Sequence, residues 1–249
     1  MRNGDGTPER VPQILDAGVL KLMEAQTSGK FPAGSKWEYS NSGYAVLAMT
    51  VGKVSGKPFG QFQQERIFTP LGMKHTLAYE KGKNEVPHRA YGHTKEDDGF
   101  PETDQNPTSA VLGDGGIYSS LDDLARWDRA LRDHTLLSEA EMQPALTAVS
   151  PADGPAKTPE GQTLSYGFGW FLDPYAGHRR MFHDGSTVGF RTTIQRFPDN
   201  NLTIIVLANR ADADPQALAL KVADLYLGLA GSSTNQKRPW RWAAGEAVP

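Results

Sequence analysis

Residues 189–208 read GFRTTIQRFPDNNLTIIVLA, and this stretch decides the fold class. Its two ends are rich in β-branched and aromatic residues, and the turn-forming Pro-Asp-Asn-Asn sequence at 198–201 separates them. Strands are therefore predicted at 189–197 and 202–208, and so short a link requires that they run antiparallel. Two further strands are predicted before them, at 166–172 and 179–183.

The residues before this sheet favour helices. Asp16 is predicted to cap the first helix, and the apolar run at 42–54 predicts a second helix that should be buried. Ser119 or Ser120 is predicted to cap a later helix, and Ser138 with Glu141 forms a capping box. The predicted helices begin near Asp16, Ser42, Pro58, Leu121, Ser138 and Pro215. Residues 75–110 and 150–163 are polar, rich in Gly and Pro, and predicted to be irregular.

Helices first, then an antiparallel meander, then a closing helix is an α+β order. We expect an antiparallel β-sheet flanked by helices, together with a helical lobe. The length of 249 residues predicts a single domain over 1–249. Within it, the helical lobe would span about 12–165, the sheet with its closing helix about 166–230, and a polar tail 231–249.

Composition excludes several classes of function. A net charge of -3 gives no electrostatic reason to expect nucleic acid or an anionic membrane as partner. The absence of cysteine excludes disulfides and thiolate chemistry. No apolar run approaches the ~20 residues of a membrane-spanning helix, and no signal peptide is seen. The six histidines are scattered without metal-ligand spacing, so we predict no metal and no other cofactor.

A first candidate for chemistry is Tyr39-Ser40-Asn41, at the start of the second predicted helix. A tyrosine phenol has an ordinary pKa of about 10, so nearby cations would be needed for it to act as a base. The amide of Asn41 can both donate and accept, which suits contacts to a lysine and to a substrate carbonyl. Taken alone, the pattern favours a plainer interpretation, a helix-capping Asn41 beside a packed Tyr39.

A second candidate is His183-Asp184-Gly185-Ser186, predicted at the end of a strand and the start of a turn. His183 would supply a cation for Tyr39, because the pKa of imidazole lies near neutrality. Gly185 has no side chain and would let a substrate backbone approach, and the N–H of Ser186 would donate to an oxyanion. Alone, the segment also fits an ordinary strand-end histidine and a turn glycine.

Four segments together resemble the serine β-lactamase-like hydrolases, a group that includes class C β-lactamases, D-alanyl-D-alanine carboxypeptidases and related esterases. They are residues 31–44, 113–127, 166–170 and 183–190, and the resemblance runs from about residue 12 to about 229. It implies that Tyr39 is a general base or proton relay and that Asn41 contacts substrate and lysine. It also implies that His183 and Gly185 form the third motif and that the Ser186 N–H helps to form the oxyanion hole.

The chain departs from this family at the nucleophile. None of its fourteen serines is followed three positions later by lysine, so Ser-x-x-Lys is absent. Thr27 and Thr50 do precede a lysine at that spacing, but both segments are interpreted as structural. The sequence therefore resembles a family member without its N-terminal part, and the family implies a periplasmic or secreted location.

Two functions from different classes follow. One is a serine hydrolase that acts by acyl-enzyme chemistry on an ester, amide or β-lactam substrate. The other is a catalytically silent fragment that binds a ligand or a partner chain. Apolar surface around residues 44–54, uncovered without the nucleophile helix, also predicts self-association, or a second chain that donates that helix.

Overall fold

A computed structural model describes residues 12–157, 161 and 163–229. The loose end predicted before Pro12 and the polar tail at 231–249 lie outside the described residues. The described chain divides into two compact units. The first contains residues 12–91 and 104–142, and the second contains residues 92–103 and 143–229.

The first unit is mainly helical, with one two-stranded sheet in which β1 and β2 pair antiparallel. Its elements are α1 (Asp16–Glu24), α2 (Asn41–Ser55), α3 (Phe59–Gln63, continued by a π-helical turn Gln64–Phe68), β1 (Leu77–Ala78), β2 (Ile117–Tyr118), α4 (Leu121–Arg132) and α5 (Glu139–Met142). No described helix of the chain is both long enough and apolar enough to cross a membrane.

The ends of α2 follow from local chemistry. The Ser40 hydroxyl accepts the N–H of Gly43 at 3.0 Å, and Gly56 ends the helix with φ 69, a conformation that favours glycine. Only one face of α2 is buried, whereas Leu47 is 54% exposed and Val54 is 84% exposed. The prediction that this apolar helix would be buried therefore holds for one face, and the exposed side chains agree with the apolar surface expected around residues 44–54.

Asp16 does not cap α1. Leu15 occupies the N-cap position without a side-chain bond, and Asp16 is the first helical residue. The Asp16 carboxylate instead accepts the N–H groups of Leu112 at 3.0 Å and Gly113 at 2.9 Å, far along the chain. A tertiary partner has replaced the local one that the sequence rule assumes.

The caps of α4 and α5 agree with prediction. Ser120, rather than Ser119, caps α4 by accepting the N–H of Asp123 at 3.3 Å. The capping box before α5 is complete, because the Ser138 hydroxyl accepts the Glu141 N–H at 3.3 Å and the Glu141 carboxylate accepts the Ser138 N–H at 2.8 Å.

The second unit is built on a three-stranded antiparallel sheet in the order β5-β6-β7, covered by a closing helix. Phe197 and Ile204, from the last two strands, pack against Ala219, Leu220 and Ala223 of that helix. The elements are β3 (Ala156–Lys157), β4 (Thr163–Leu164), β5 (Met181–Thr187), β6 (Phe190–Phe197), β7 (Leu202–Ala208) and α6 (Pro215–Tyr226). The predicted α+β class, with antiparallel sheets flanked by helices, is confirmed.

Two strand predictions in this unit are wrong. Residues 166–172 do not form a continuous strand, because the chain turns at Gly169 (φ 76) and bridges Tyr166 to Phe171. β5 begins later than predicted and continues to Thr187, paired along its length with β6. His183 and Gly185 therefore lie inside a strand, and the turn comes after them.

Candidate active site

Tyr39 and Asn41 lie on either side of the residue that caps α2. Because Ser40 accepts the helix N–H, the helix begins at Asn41 and Ser40 is the cap. The plainer interpretation of Asn41 as the capping residue is therefore wrong. Asn41 is exposed and Tyr39 is half-buried. The cap fixes the backbone from which both side chains project.

The environment of Tyr39 keeps its phenol protonated. Burial, then the nearby carboxylate of Asp114 and the phenol of Tyr44, raise the pKa of Tyr39 to about 12. A neutral phenol donates a hydrogen bond and holds a transferable proton, whereas a phenolate needs a cation nearby. The groups of the first unit therefore favour Tyr39 as a proton donor.

Asp114 belongs to a glycine-rich loop that packs against α2. A Cβ on Gly113 would lie 2.5 Å from the carbonyl oxygen of Tyr44, so only glycine fits there. The same loop is held by Asp16 through the two backbone N–H groups described above. Burial, followed by repulsion from Asp16, raises the pKa of Asp114 to about 6. A second titratable group is thus held near the Tyr39 phenol.

His183 is held as a neutral imidazole. Its Nδ1 lies 2.7 Å from the backbone carbonyl oxygen of Asp184, which only accepts, so Nδ1 carries the proton and Nε2 carries the lone pair. Nε2 lies 3.5 Å from the Tyr166 hydroxyl, and the imidazole centroid lies 5.6 Å from that of Phe171. Burial lowers the pKa of His183. The expected cation is therefore not the form that this environment favours.

The backbone of β5 sends its hydrogen-bonding groups alternately to two edges. On the edge away from β6, Phe182 donates its N–H to Phe171 at 3.0 Å and accepts the Phe171 N–H at 2.9 Å. The regular register then turns the N–H groups of His183 and Gly185 toward β6 and that of Ser186 toward the other edge. Ser186 is exposed, so this N–H suits a donor to a bound oxygen.

Gly185 leaves room for a side chain of the neighbouring strand. It lies opposite Thr192 of β6, and a Cβ at residue 185 would come within 2.3 Å of the Thr192 Oγ1. The missing side chain therefore admits the neighbouring threonine.

We expect Gly185→Ala to lower the free energy of unfolding by about 2 kcal/mol, since overpacking forces the two strands or the threonine rotamer to shift. The double variant Gly185→Ala/Thr192→Ala should recover more than half of that loss, because it removes the clashing oxygen. Urea unfolding of the two variants, with Thr192→Ala as control, measures both effects. An unchanged midpoint in the single variant, or no recovery in the double, would contradict this account.

Sequence reasoning missed two residues near these groups. The sequence places Asp114 in a glycine-rich turn and indicates no chemical role for it, and it places Tyr166 in the predicted strand 166–172. Tyr166 is 5% exposed and places its hydroxyl toward His183. The positions of these residues in the sequence do not show that Asp114 lies near Tyr39 or that Tyr166 lies near His183, because each pair is brought together by tertiary packing. The described residues contain no group of three or more His, Asp or Glu side chains that would hold a metal.

A beta-lactamase family model matches residues 20–227 of the chain. Penicillin-binding protein 4* of Bacillus subtilis (strain 168) is 32% identical over 223 residues, covering 84% of this chain and 48% of that protein. A D-aminopeptidase of Brucella anthropi is 28% identical over 231 residues, covering 92% of this chain and 42% of that protein. The chain spans about half the length of the curated relatives it matches.

A solved structure shares the fold. The octameric penicillin-binding protein homologue from Pyrococcus abyssi superposes with a TM-score of 0.75 at 23% identity, over 90% of this chain and 50% of that chain. The likeness supports a serine β-lactamase/transpeptidase-like fold. Since the family model covers most of the sequence, the chain belongs to the beta-lactamase family, whose chemistry is of the serine hydrolase type.

Proposed function

We propose that this chain carries acid–base and substrate-orienting groups of a serine hydrolase that forms an acyl-enzyme on an ester, amide or β-lactam substrate. The state of His183 carries the proposal: Nδ1 is committed to the Asp184 carbonyl, so Nε2 is left as a proton acceptor. Relatives named as a penicillin-binding protein and a D-aminopeptidase favour β-lactam and amide substrates.

Each proposed residue has a role that its own surroundings support. Tyr39, held as a neutral phenol, would give a proton to the leaving group, and the exposed Asn41 amide would contact the substrate carbonyl. His183 would accept a proton at Nε2. Gly185 would leave room for the substrate backbone, and the outward-facing N–H of Ser186 would donate to the oxyanion.

A second function is favoured by one specific observation. No serine of the printed sequence stands three residues before a lysine, so the acylating serine is not assigned to a residue of this chain. The chain would then bind substrate-like ligands without acylation. Loss of the nucleophile removes most of the rate enhancement of a serine hydrolase.

We also propose self-association through the first unit. Large apolar side chains stay exposed on and beside α1 and α2: Leu15, Leu22, Met23, Leu47 and Val54. Exposed apolar surface of this kind favours contact with another protein surface. A single monomeric boundary in sedimentation velocity at high protein concentration would contradict the proposal.

Intact-mass spectrometry after incubation with a fluorophosphonate tests the hydrolase proposal. A stoichiometric adduct is expected. In a parallel reaction with benzylpenicillin, whose amine leaving group needs a proton, Tyr39→Phe should be acylated about 100-fold more slowly than the parent, since proton transfer contributes on this scale. Tyr226→Phe, an exposed tyrosine at the end of α6, is the control and should be acylated at nearly the parent rate. Peptide mapping would identify the phosphonylated serine.

The negative outcome separates the two functions. If no adduct forms but benzylpenicillin binds reversibly in calorimetry, the silent ligand-binding function stands and the hydrolase proposal fails for this chain. If neither labelling nor binding occurs, both proposals fail. Equal rates of acylation by benzylpenicillin for the parent and Tyr39→Phe would remove Tyr39 from the mechanism.

A further inference from the structure

The carboxyl group of Asp184, which stands between the motif residues His183 and Gly185 in the sequence, lies on the face of β5 that is covered by α6. Successive side chains of a strand point to opposite faces, so Asp184 faces α6 while His183 faces the other way. The contacts agree, because the Gln216 side chain of α6 donates to Asp184 Oδ2 at 2.9 Å. The Thr193 hydroxyl of β6 donates to Asp184 Oδ1 at 2.5 Å. Both carboxylate oxygens are therefore engaged.

These bonds are the end of a longer chain of hydrogen bonds. Arg180 Nη1 lies 3.3 Å from Gln195 Oε1, and Gln195 Nε2 lies 2.8 Å from Thr193 Oγ1. Arg180 is itself held by Asp173, whose carboxylate accepts Nη2 at 2.7 and 2.6 Å. The inner members are almost wholly inaccessible, with exposures of 3% for Arg180, 0% for Gln195, 2% for Thr193 and 5% for Gln216.

The chain of bonds has one direction. A guanidinium has no acceptor, so Gln195 must present its oxygen to Arg180 and its amide N–H to Thr193. Thr193 then accepts on one side, and its own proton goes to Asp184. Thr193 and Gln216 then each donate to one oxygen of Asp184, a pattern that suits a carboxylate. The arrangement therefore matches the ionised form of Asp184.

We propose that Asp184 is a positioning residue, which fixes the β5 backbone at residues 183–186 by tying it to β6 and to α6 at once. Backbone pairing joins β5 to β6 along its length, and the buried polar side chains add partners that are satisfied in one arrangement only. The carbonyl of Asp184 also holds Nδ1 of His183, so the fixed backbone sets the tautomer of that ring.

Electrostatics fit this role. Burial raises the pKa of Asp184 to about 6, while the Thr193 bond and the charge of Arg180 act in the opposite direction. The carboxyl is therefore ionised at neutral pH, as the direction of the bonds requires. The inference rests on the proposed function in one respect: it takes from there the roles of His183 as proton acceptor and of the Ser186 N–H as oxyanion donor.

The first test compares Asp184→Ala with Ile204→Ala. Ile204 is 9% exposed in the core beneath α6 and lies opposite Gln195, so its truncation destabilises the same sheet but removes no polar atom of the hydrogen-bonded chain. Two readouts are measured by NMR in the folded protein. One is amide hydrogen exchange of His183 and Gly185, whose N–H groups face β6, and the other is the 15N spectrum of the His183 imidazole.

We expect Asp184→Ala to speed exchange at these two amides at least 10-fold relative to the amides of β7. The two imidazole 15N signals should also move toward each other as the tautomers interconvert. Ile204→Ala should speed exchange across the sheet without changing the tautomer. If Asp184→Ala gives the pattern of Ile204→Ala, or leaves His183 unchanged, the proposal is wrong.

A second test reverses the chain of bonds without changing its shape. Gln195→Glu makes residue 195 accept from both Arg180 and Thr193, which turns the Thr193 lone pairs toward the Asp184 carboxylate. Adding Asp184→Asn supplies an amide N–H to Thr193 and an oxygen to Gln216, so every bond is restored. In the double variant Gln195→Glu/Asp184→Asn, amide exchange at His183 and Gly185 should lie within about 3-fold of the parent rate. This test can be made even if Asp184→Ala or Gln195→Glu alone fails to fold.

No recovery in the double variant would overturn the proposal. Neither NMR readout needs turnover, so the result stands whether or not the fluorophosphonate reacts with the chain. Failure of the proposed function with a positive NMR result would leave Asp184 as the residue that sets the His183 tautomer in a ligand-binding protein.

Discussion

Gly113→Ala is expected to lower the free energy of unfolding by about 3 kcal/mol. The new methyl group would lie 2.5 Å from the Tyr44 carbonyl oxygen and 2.7 Å from the Ala45 Cα, distances at which backbone must move. It would also lie 2.8 Å from the Cβ of Ala48, which is 3% exposed. No flexible side chain is available to give way.

The same substitution should disturb the start of α2. The contacted residues, Tyr44 and Ala45, lie in its first two turns, close to the Ser40 cap. A helix pushed away from the glycine-rich loop would also carry Tyr39 away from Asp114, whose charge helps to raise its pKa. We therefore expect the Tyr39 phenol in Gly113→Ala to titrate nearer its ordinary value, which ultraviolet difference spectra can follow.

Gly115→Ala is the matched control, two residues along the same loop. A Cβ at residue 115 meets no heavy atom within 4 Å, and its backbone needs no left-handed conformation. The control should change the free energy of unfolding by less than about 1 kcal/mol. A small increase is allowed, because alanine makes the unfolded chain less flexible. If urea unfolding gave the two variants free energies of unfolding within about 0.5 kcal/mol of each other, the close contact at Gly113 would have no energetic effect.

Features set by near neighbours in sequence were predictable. The β6–β7 hairpin follows from two apolar strands around the turn at 198–201, and β7 has the predicted bounds. Helix α4 follows from a serine cap, early acids and late arginines within one 12-residue helix. In such elements the deciding interactions lie within a few residues of one another.

The failures share a physical cause, which is competition from distant partners. Asp16 is of a residue type that commonly caps helices, but its carboxylate accepts the backbone N–H groups of Leu112 and Gly113 instead. Gly185 and Ser186 look like turn residues, yet pairing with β6 keeps them in the strand. The aromatic pattern around Gly169 suggests a strand, but glycine allows a turn there, with φ 76.

The candidate residues were predictable as types, whereas their ionisation states were not. Sequence reasoning gave His183 a near-neutral pKa and Tyr39 a neighbouring cation. In the structure, burial lowers the pKa of His183, and burial with Asp114 raises that of Tyr39. Burial and a carboxylate 75 positions away cannot be read from local spacing. The proton donor and acceptor proposed here therefore come from the fold.

Asp123→Ala is expected to lower the free energy of unfolding by about 3 kcal/mol, because hydrogen bonds to a buried charge are costly to lose. Asp123 is 0% exposed, and its Oδ2 accepts the His75 N–H at 2.7 Å and the Thr76 hydroxyl at 2.8 Å. Its Oδ1 accepts from Arg126 at 2.8 Å. Truncation would leave the segment before β1 without its attachment to α4.

Asp123→Asn separates these contributions, since the two oxygens have different partners. Asparagine can keep its oxygen toward His75 and Thr76 and lose only the ion pair with Arg126, whose side chain is 48% exposed. Half-exposed ion pairs contribute little, so this variant should lose about 1 kcal/mol. Asp122→Asn, on the exposed face of the same turn, is the control and should be nearly neutral. If Asp123→Asn were as damaging as Asp123→Ala, the charge on Arg126, and not the two bonds to Oδ2, would hold this corner of the first unit.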